Sequence, residues 1–554
     1  MKRMKIKCLL LLAGLLLTTG AKAQTDAEYD AAMAKVVFNT ADANARFWIT
    51  TTYEGTKYYL TMSGTLTTSS STAGKFYFVK VDASGKYKEY GVRPFIASNQ
   101  AFTNPAGNAT AITQNGALQI RTSSTIRTDY DTQVFYLGSE GHYAIRATNA
   151  SGTNYGANSY WYVRESGSSV VADYDTTQGV PHYIWDIEWA AAFSTNYLYK
   201  IQSASSTITT GTKPFFQSPL NNDSNDGLLY LTTTTSKAAT LYVIADAENP
   251  GYFYLFDTTS GKYISPAANS TNNTQWRVSA TPVTVKIYPN GNNYVVSDGT
   301  TFANASRLSG STANAASSYT RVINYSNFTD NGNQWSISGT AFTRVDLNSL
   351  NASVNPADYI TAAAGVNLPV TYTATVGDAD YGTLVVPFDA TVSGDVEAYD
   401  LTGVSGSVIA SEQVTEITAN KPVLLKNAGT LTLNGNITAV PDELMNGVLT
   451  GVYSQTDAPV GSYVLQNKDS QVGFYKVTDG HQPKVGAFRA YLQTGVAPAR
   501  LWFGEDVLAG ISEELIVNSE EFATATVYDL QGRMVNSQLK KGLYIVNGKK
   551  VIIK

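Results

Sequence analysis

The sequence predicts an all-β protein of several domains, and three observations predict it. Charged residues make up only 15% of the chain, against roughly 25% in a typical soluble protein. Tyrosine reaches 36 and glycine 44, and Thr, Ser and Asn abound, which is the composition of many short strands joined by polar turns. The 3.6-residue rhythm that long helices need is mostly missing. The length of 554 residues allows about three or four domains.

The first element is not expected to belong to the fold. Residues 1–23 read MKRMKIKCLLLLAGLLLTTGAKA. A basic start, an apolar run from Cys8 to Leu17 and a small-x-small site at Ala21–Ala23 form a secretory signal, and the run is too short to span a bilayer. Cys8 stands at the start of the apolar run, not after it, and does not look like a lipoprotein acceptor. The signal holds the single cysteine and five of the 39 basic residues. The expected mature chain therefore has no disulfide or thiolate chemistry. It carries 34 basic against 44 acidic residues, a formal charge of −10, which disfavours nucleic acid. No later apolar run is long enough for a transmembrane segment. Residues 24–44 contain the one helical candidate, Asp26–Val37 (DAEYDAAMAKVV), a short lead-in.

Next come repeated hairpin signals. "FYFVKVDASGKY" (Phe76–Tyr87) and "YFYLFDTTSGKY" (Tyr252–Tyr263) alternate aromatic and aliphatic residues, turn through Asp, Ser and Gly, and resume with Lys-Tyr. Both read as hairpins. "VFYLGSEGHYAIRA" at Val134 and "VKIYPNGNNYVVSD" at Val285 repeat the idea. A second repeated element is a tryptophan followed two residues later by Ile or Val, at Trp161, Trp185, Trp276 and Trp335. These tryptophans, Trp276 and Trp335 above all, are expected in the core. On these motifs, a run opening "RFWITTTYEGTKYYLT" and closing near "YIWDIEW" resembles a β-trefoil of the ricin-lectin type. A run opening "YLYKIQSASS" and closing at "NQWSISG" resembles a second. The resemblance implies two tandem β-trefoil-like domains, at 45–190 and 195–340, that bind carbohydrate.

A polar linker is expected at 341–367. From 368 to 504 strands recur every ten to fifteen residues, each bounded by Gly, Asn, Asp or Pro, as in "YGTLVVPFDATVSGDVEAYDLTGV" and "ITANKPVLLKNAGTLTLNG". That spacing predicts an antiparallel β-sandwich, and the segment resembles a β-domain of surface and secreted proteins of Gram-negative gut and oral anaerobes. The last segment, 510–554, ends in a well-specified hairpin: Leu543–Val546, then Asn547-Gly548, then Lys549–Ile553. Asn-Gly between two β-prone runs is the strongest short hairpin signal, because both turn residues need positive φ. "YDLQGRMV…KGLYIVNGKKVIIK" resembles the C-terminal sorting domains read by type IX secretion, which implies export machinery as a partner and a secreted or cell-surface location.

Catalytic patterns are sparse. The three histidines, His142, His182 and His481, are far apart, and neither a zinc helix nor a G-x-G loop, a P-loop or a G-x-S-x-G elbow occurs. Catalytic residues, metal ligands and cofactors are accordingly expected to be none. Glu397, Glu412 and Glu416 are the candidate glycosidase carboxylates, but they fall in the sandwich-like segment, whose resemblance implies a module and not a catalyst. "NNDSNDG" (Asn221–Gly227) clusters oxygen ligands but lacks the EF-hand spacing, so a solvated turn is expected. Sugar sites set an aromatic wall among a few polar groups. "NYGANSYWYVRE" supplies such a set, and strand alternation puts Tyr160 opposite Trp161. Tyr155, Asn158 and Tyr160 are the predicted ligand contacts. Asp175-Thr176-Thr177 and Asp257-Thr258-Thr259 resemble O-glycosylation acceptors of the same bacteria. The reading is a non-catalytic exported protein that binds glycans or host glycoproteins, with adhesion as its role. The alternatives are a glycan or peptide hydrolase with a scattered site, and a structural cell-surface component.

Overall fold

The protein was described from a computed structural model, which covers residues 46–53, 55–80, 90–94, 100–103, 116–117, 119–122, 133–136, 143–147, 160–166, 169–175, 185–222, 226–266, 275–290, 292–327, 332–468, 471–503, 527–528, 533–535, 542–546 and 549–553. The described residues are mostly β-strand. The chain divides into two compact units: Met1–Leu255, Tyr263–Ser279 and Val283–Ala341 form one, and Phe256–Lys262, Ala280–Pro282 and Phe342–Lys554 the other. The signal segment and the lead-in helix lie outside the described residues.

The first unit contains two rings of antiparallel strands with the same cyclic order. In the first ring Phe47–Tyr53 pairs with Phe76–Lys80, which pairs with Tyr90–Pro94, then Gln133–Tyr136, then Tyr143–Ala147. A bridge from Tyr143 to Trp185 leads to Asp186–Trp189, which pairs back onto Phe47–Tyr53. The second ring runs Tyr197–Ser203, Leu241–Ala245, Tyr252–Asp257, Thr284–Asn290, Asn293–Ser297 and Trp335–Ala341, and closes on Tyr197–Ser203. A closed ring leaves no unpaired edge.

Side-chain alternation explains why these segments close around a core. Tyr197–Ser203 alternates outward and inward, with Tyr199, Ile201 and Ser203 buried. Trp185 and Trp335 occupy the same place in their rings, and both are wholly buried. The Trp335 indole donates to the Ala303 carbonyl at 3.2 Å and meets Phe216 edge-on at 4.7 Å. Trp276 is also wholly buried, so Trp185, Trp276 and Trp335 are core as expected. Trp161 sits in the strand Tyr160–Ser166, paired with Ser169–Asp175; its side chain lies outside what is described.

The expected hairpins at Tyr252 and Val285 form. Tyr252–Asp257 pairs with Lys262–Ser265, and Thr284–Asn290 with Asn293–Ser297. The look-alike stretches at Phe76 and Tyr252 take different places, however: the first is the second strand of its ring, the second the third. Local turn chemistry was repeated without repeating the position.

Trp189 is shared by the two rings. It packs edge-on to Phe47 at 5.3 Å and tilted on Tyr288 at 5.5 Å, and its indole donates to the Ile287 carbonyl at 2.7 Å. Glycine is needed opposite it: Gly251 has φ +87°, and a Cβ there would lie 2.7 Å from the indole.

In the second unit, Leu368–Val376 alternates strictly, with Leu368, Val370, Tyr372, Ala374 and Val376 buried. It pairs with Gly429–Ile437 and, in parallel, with Val345–Asp346. A ten-stranded sheet follows in the order Tyr381–Leu384, Val423–Lys426, Glu397–Ser405, Val408–Val414, Arg500–Phe503, Gln471–Lys476, Tyr463–Lys468, Arg489–Leu492, Leu449–Val452, Met445–Asn446. The stretch 341–367, expected as a linker, holds a helix, Pro356–Ala364. Asn355 caps it by accepting from the Ala357 amide at 2.9 Å, and proline opens it, both favoured at a helix start. Its Tyr359, Ile360, Ala362, Ala363 and Ala364 are buried. At the C-terminal end, Gly542–Val546 and Lys549–Ile553 form the expected hairpin. Val546 faces Lys549 across the two-residue connection, and Val527–Tyr528 adds a third strand.

Candidate functional site

Three short hairpins accompany the second ring: Phe215–Phe216 with Leu231–Thr232, Lys262–Ser265 with Arg277–Ser279, and Phe302–Asn304 with Asn324–Ser326. At the start of each second strand the backbones of Leu229, Trp276 and Ile323 join in a closed triangle. Leu229 N–H donates to the Trp276 carbonyl at 2.8 Å, Trp276 N–H to Ile323 at 2.8 Å, and Ile323 N–H to Leu229 at 3.1 Å. These positions are evenly spaced along the chain, 229, 276 and 323. All three side chains are wholly buried.

Alternation then fixes the surface over this triangle. Neighbours of an inward residue in an extended chain point outward, so Tyr230, Arg277 and Asn324 occupy equivalent positions, one after each triangle member. Cross-bridges tie them together: Leu228 with Arg277, Gln275 with Asn324, and Tyr230 with Val322. None of Tyr230, Gln275, Arg277 and Asn324 is fully buried, and Arg321 is exposed.

The turn before Leu228 completes the group. Gly227, at φ +71°, reverses the chain and brings Asp226 back over the crown. One Asp226 carboxylate oxygen accepts from the Leu228 amide at 3.0 Å, and the other from the Tyr230 hydroxyl at 2.5 Å. Arg277 donates to the Asp226 carbonyl at 3.2 Å, and the Arg321 guanidinium lies 5.6 Å from the centre of the Tyr230 ring, in cation–π range. The crown thus gathers an aromatic ring, a carboxylate, two guanidiniums and two amides. Two cations against one anion leave it positive. Chemically it can hold hydroxyls and anionic groups against an aromatic edge.

The crown residues are other than the predicted contacts. Tyr155 and Asn158 lie outside the described residues. Tyr160 begins the strand Tyr160–Ser166 and pairs with Asp175, but its side chain is not described. Of the "NNDSNDG" turn, Asp226 is engaged in hydrogen bonds as a turn residue. Among the described residues no group of three or more metal-ligating His, Cys, Asp or Glu side chains comes together, and no helix is long and apolar enough to cross a membrane. Glu397 accepts from the Tyr399 hydroxyl at 2.6 Å and Glu416 from Thr391 at 3.2 Å, while Glu412 is exposed. Thr258 of the expected glycosylation acceptor is buried beside a wholly buried Asp257. Thr176 lies outside the described residues.

Sequence reasoning passed over Tyr230, Arg277 and Arg321. A signal for Tyr230 and Arg277 existed: "LLYL", "QWRV" and "VINY" recur at equal intervals, and the residue after each buried member is the one that faces out. Comparison with protein-family models finds none that matches the chain, and a search of curated proteins finds no match.

Proposed function

We propose that this chain is a non-catalytic, exported binding protein that recognises glycans or glycoproteins, and that its two rings are β-trefoils of the ricin-lectin type. The observation that carries the reading is the crown of Tyr230, Arg277, Arg321 and Asp226 over the Leu229–Trp276–Ile323 triangle. Six strands in a closed ring, three hairpins and a threefold backbone triangle support the trefoil assignment. The positive balance of the crown favours glycans that bear carboxylate or sulfate groups. In the same reading, segment 368–504 is a β-sandwich-like spacer. Residues 1–23 are an export signal, and 510–554 form a terminal sorting domain.

A glycan array and a mucin pull-down test the function. The folded full-length chain should retain acidic glycans, with retention falling as salt rises. Tyr230→Ala and Arg277→Ala should each weaken retention about tenfold, the scale of one lost charge-assisted contact. Silence of the folded wild-type protein in both assays would sink the reading.

A further inference from the structure

The two rings of the first unit are joined by a connector that is packed, not loose. Flexible tethers are rich in Gly and Ser, whereas residues 190–196 read AAAFSTN. Ala190 and Ala191 are buried, and the Ala190 amide donates to the Arg46 carbonyl at 3.0 Å. Phe193 meets Tyr199 and Phe253 edge-on at 5.2 and 5.1 Å, and the Ser194 amide donates to the Tyr199 hydroxyl at 2.8 Å. One hydrophobic cluster runs through both rings, from Phe47, Ile49 and Trp185 to Ile201, Ile287 and Trp335.

A buried lysine lies in the same seam. Val285 and Ile287 are wholly buried in that cluster, so alternation turns Lys286 and Tyr288 out of the second ring. Yet Lys286 is only 5% exposed and Tyr288 only 1%. Trp189 of the first ring covers them. The Lys286 ammonium lies 5.4 Å from the centre of the Trp189 ring, 5.4 Å from that of Tyr252, its cross-strand partner, and 5.0 Å from that of Tyr288. All three are in cation–π range. A lysine taken out of water is costly unless its charge finds partners, and these aromatic faces supply them. The Trp189 indole is held from both sides: its edge contact with Phe47 fixes it in the first ring, and its bond to the Ile287 carbonyl fixes it to the second.

We propose that Lys286 latches the two rings into one rigid body, with its ammonium closing an aromatic cage to which the first ring contributes Trp189. Two modules on a loose tether would reorient freely. Latched rings keep their surfaces at a fixed spacing, so a partner that spans both gains avidity only if its own spacing matches. The inference rests on the seam alone and holds whatever either ring binds.

Cutting the connector tests it. A protease site is inserted between Thr195 and Asn196, both exposed, and cleaved in the otherwise full-length folded chain. The two halves should co-elute on size exclusion and stay together on dilution. Lys286→Met keeps the length of the stem and removes the charge, and it should weaken their association about tenfold, the scale of one lost desolvated cation–π contact. Lys286→Arg keeps the charge and should restore most of the association. Tyr252→Leu removes one half-buried wall of the cage and should weaken association several-fold; it decides the matter if Lys286→Met does not fold. Wild-type halves that separate on cleavage, or an association left unchanged by Lys286→Met or, in its place, by Tyr252→Leu, would overturn the proposal.

Discussion

The crown of the second ring and the mouth of the ten-stranded sheet, a shallow depression lined by Tyr381, Tyr399, Ser411, Leu424, Lys426 and Phe503, both set polar groups beside apolar ones, yet they are assembled in different ways. In the crown, Tyr230, Arg277 and Asn324 are equivalent positions of three evenly spaced segments, each following a buried residue of one backbone triangle. In the mouth, Tyr381, Tyr399, Ser411, Leu424 and Phe503 come from five strands with unrelated turns between them. Repetition gives the first site a regular address in the chain. Strand order alone gives the second its members. The crown should therefore fail when the ring that carries it fails, whereas the mouth depends on packing in the other unit.

The largest expected effect comes from breaking the ring. Trp335→Ala removes a wholly buried indole, its bond to Ala303 and its contact with Phe216. Loss of a large buried aromatic costs about 3–5 kcal/mol. Denaturant unfolding should show that loss in the transition of the first unit, with crown binding lost. Crown binding that survives in the variant would separate the crown from its ring.

A smaller effect is expected at the seam within the first unit. Gly251→Ala places a Cβ against the Trp189 indole and forces alanine to φ +87°. Backbone strain of that kind costs about 1–3 kcal/mol, read as a lower denaturation midpoint. A neutral Gly251→Ala would mean that Trp189 yields at no cost.

The smallest effect sharpens the electrostatics of the ring. Burial pushes the Asp298 carboxyl up, but hydrogen bonds from the Thr301 and Thr300 amides and hydroxyls, the closest at 2.6 Å, hold it below its ordinary value. A carboxyl depressed on folding contributes stability that is present above its unfolded pKa of about 4 and is lost as the pH falls through the folded value. Asp298→Asn should thus cost stability at pH 7, and the wild-type advantage should shrink below about pH 4. Equal sensitivity of both forms to acid would assign the turn no part in it.

Much of the first unit was legible in the sequence because its code is local. Trp276 and Trp335 could be placed in the core from a repeated Trp-x-Ile/Val pattern, and the hairpins at Tyr252 and Val285 from alternation and turn residues, as could the hairpin at Leu543 in the second unit. The helix Pro356–Ala364 was not read, although Asn355-Pro356 with Asp358 in the first turn marks its start. Polar residues around it masked a short stripe of Tyr359, Ile360 and alanines. The crown was not legible in the same way, since aromatic density draws attention to Tyr155, Asn158 and Tyr160, while the crown is built from residues that flank buried positions.

The sequence by itself determined that this is a β-rich chain, that Trp276 and Trp335 are buried, and how its last hairpin is registered. Those properties follow from alternation and turn chemistry within about ten residues. Only the tertiary structure decided that Leu229, Trp276 and Ile323 meet, that Asp226 turns back onto Tyr230, and that Tyr381 stacks on Phe503. Which strand lies beside which is set by the non-local pairing that closes a core, and no window of neighbouring residues contains it.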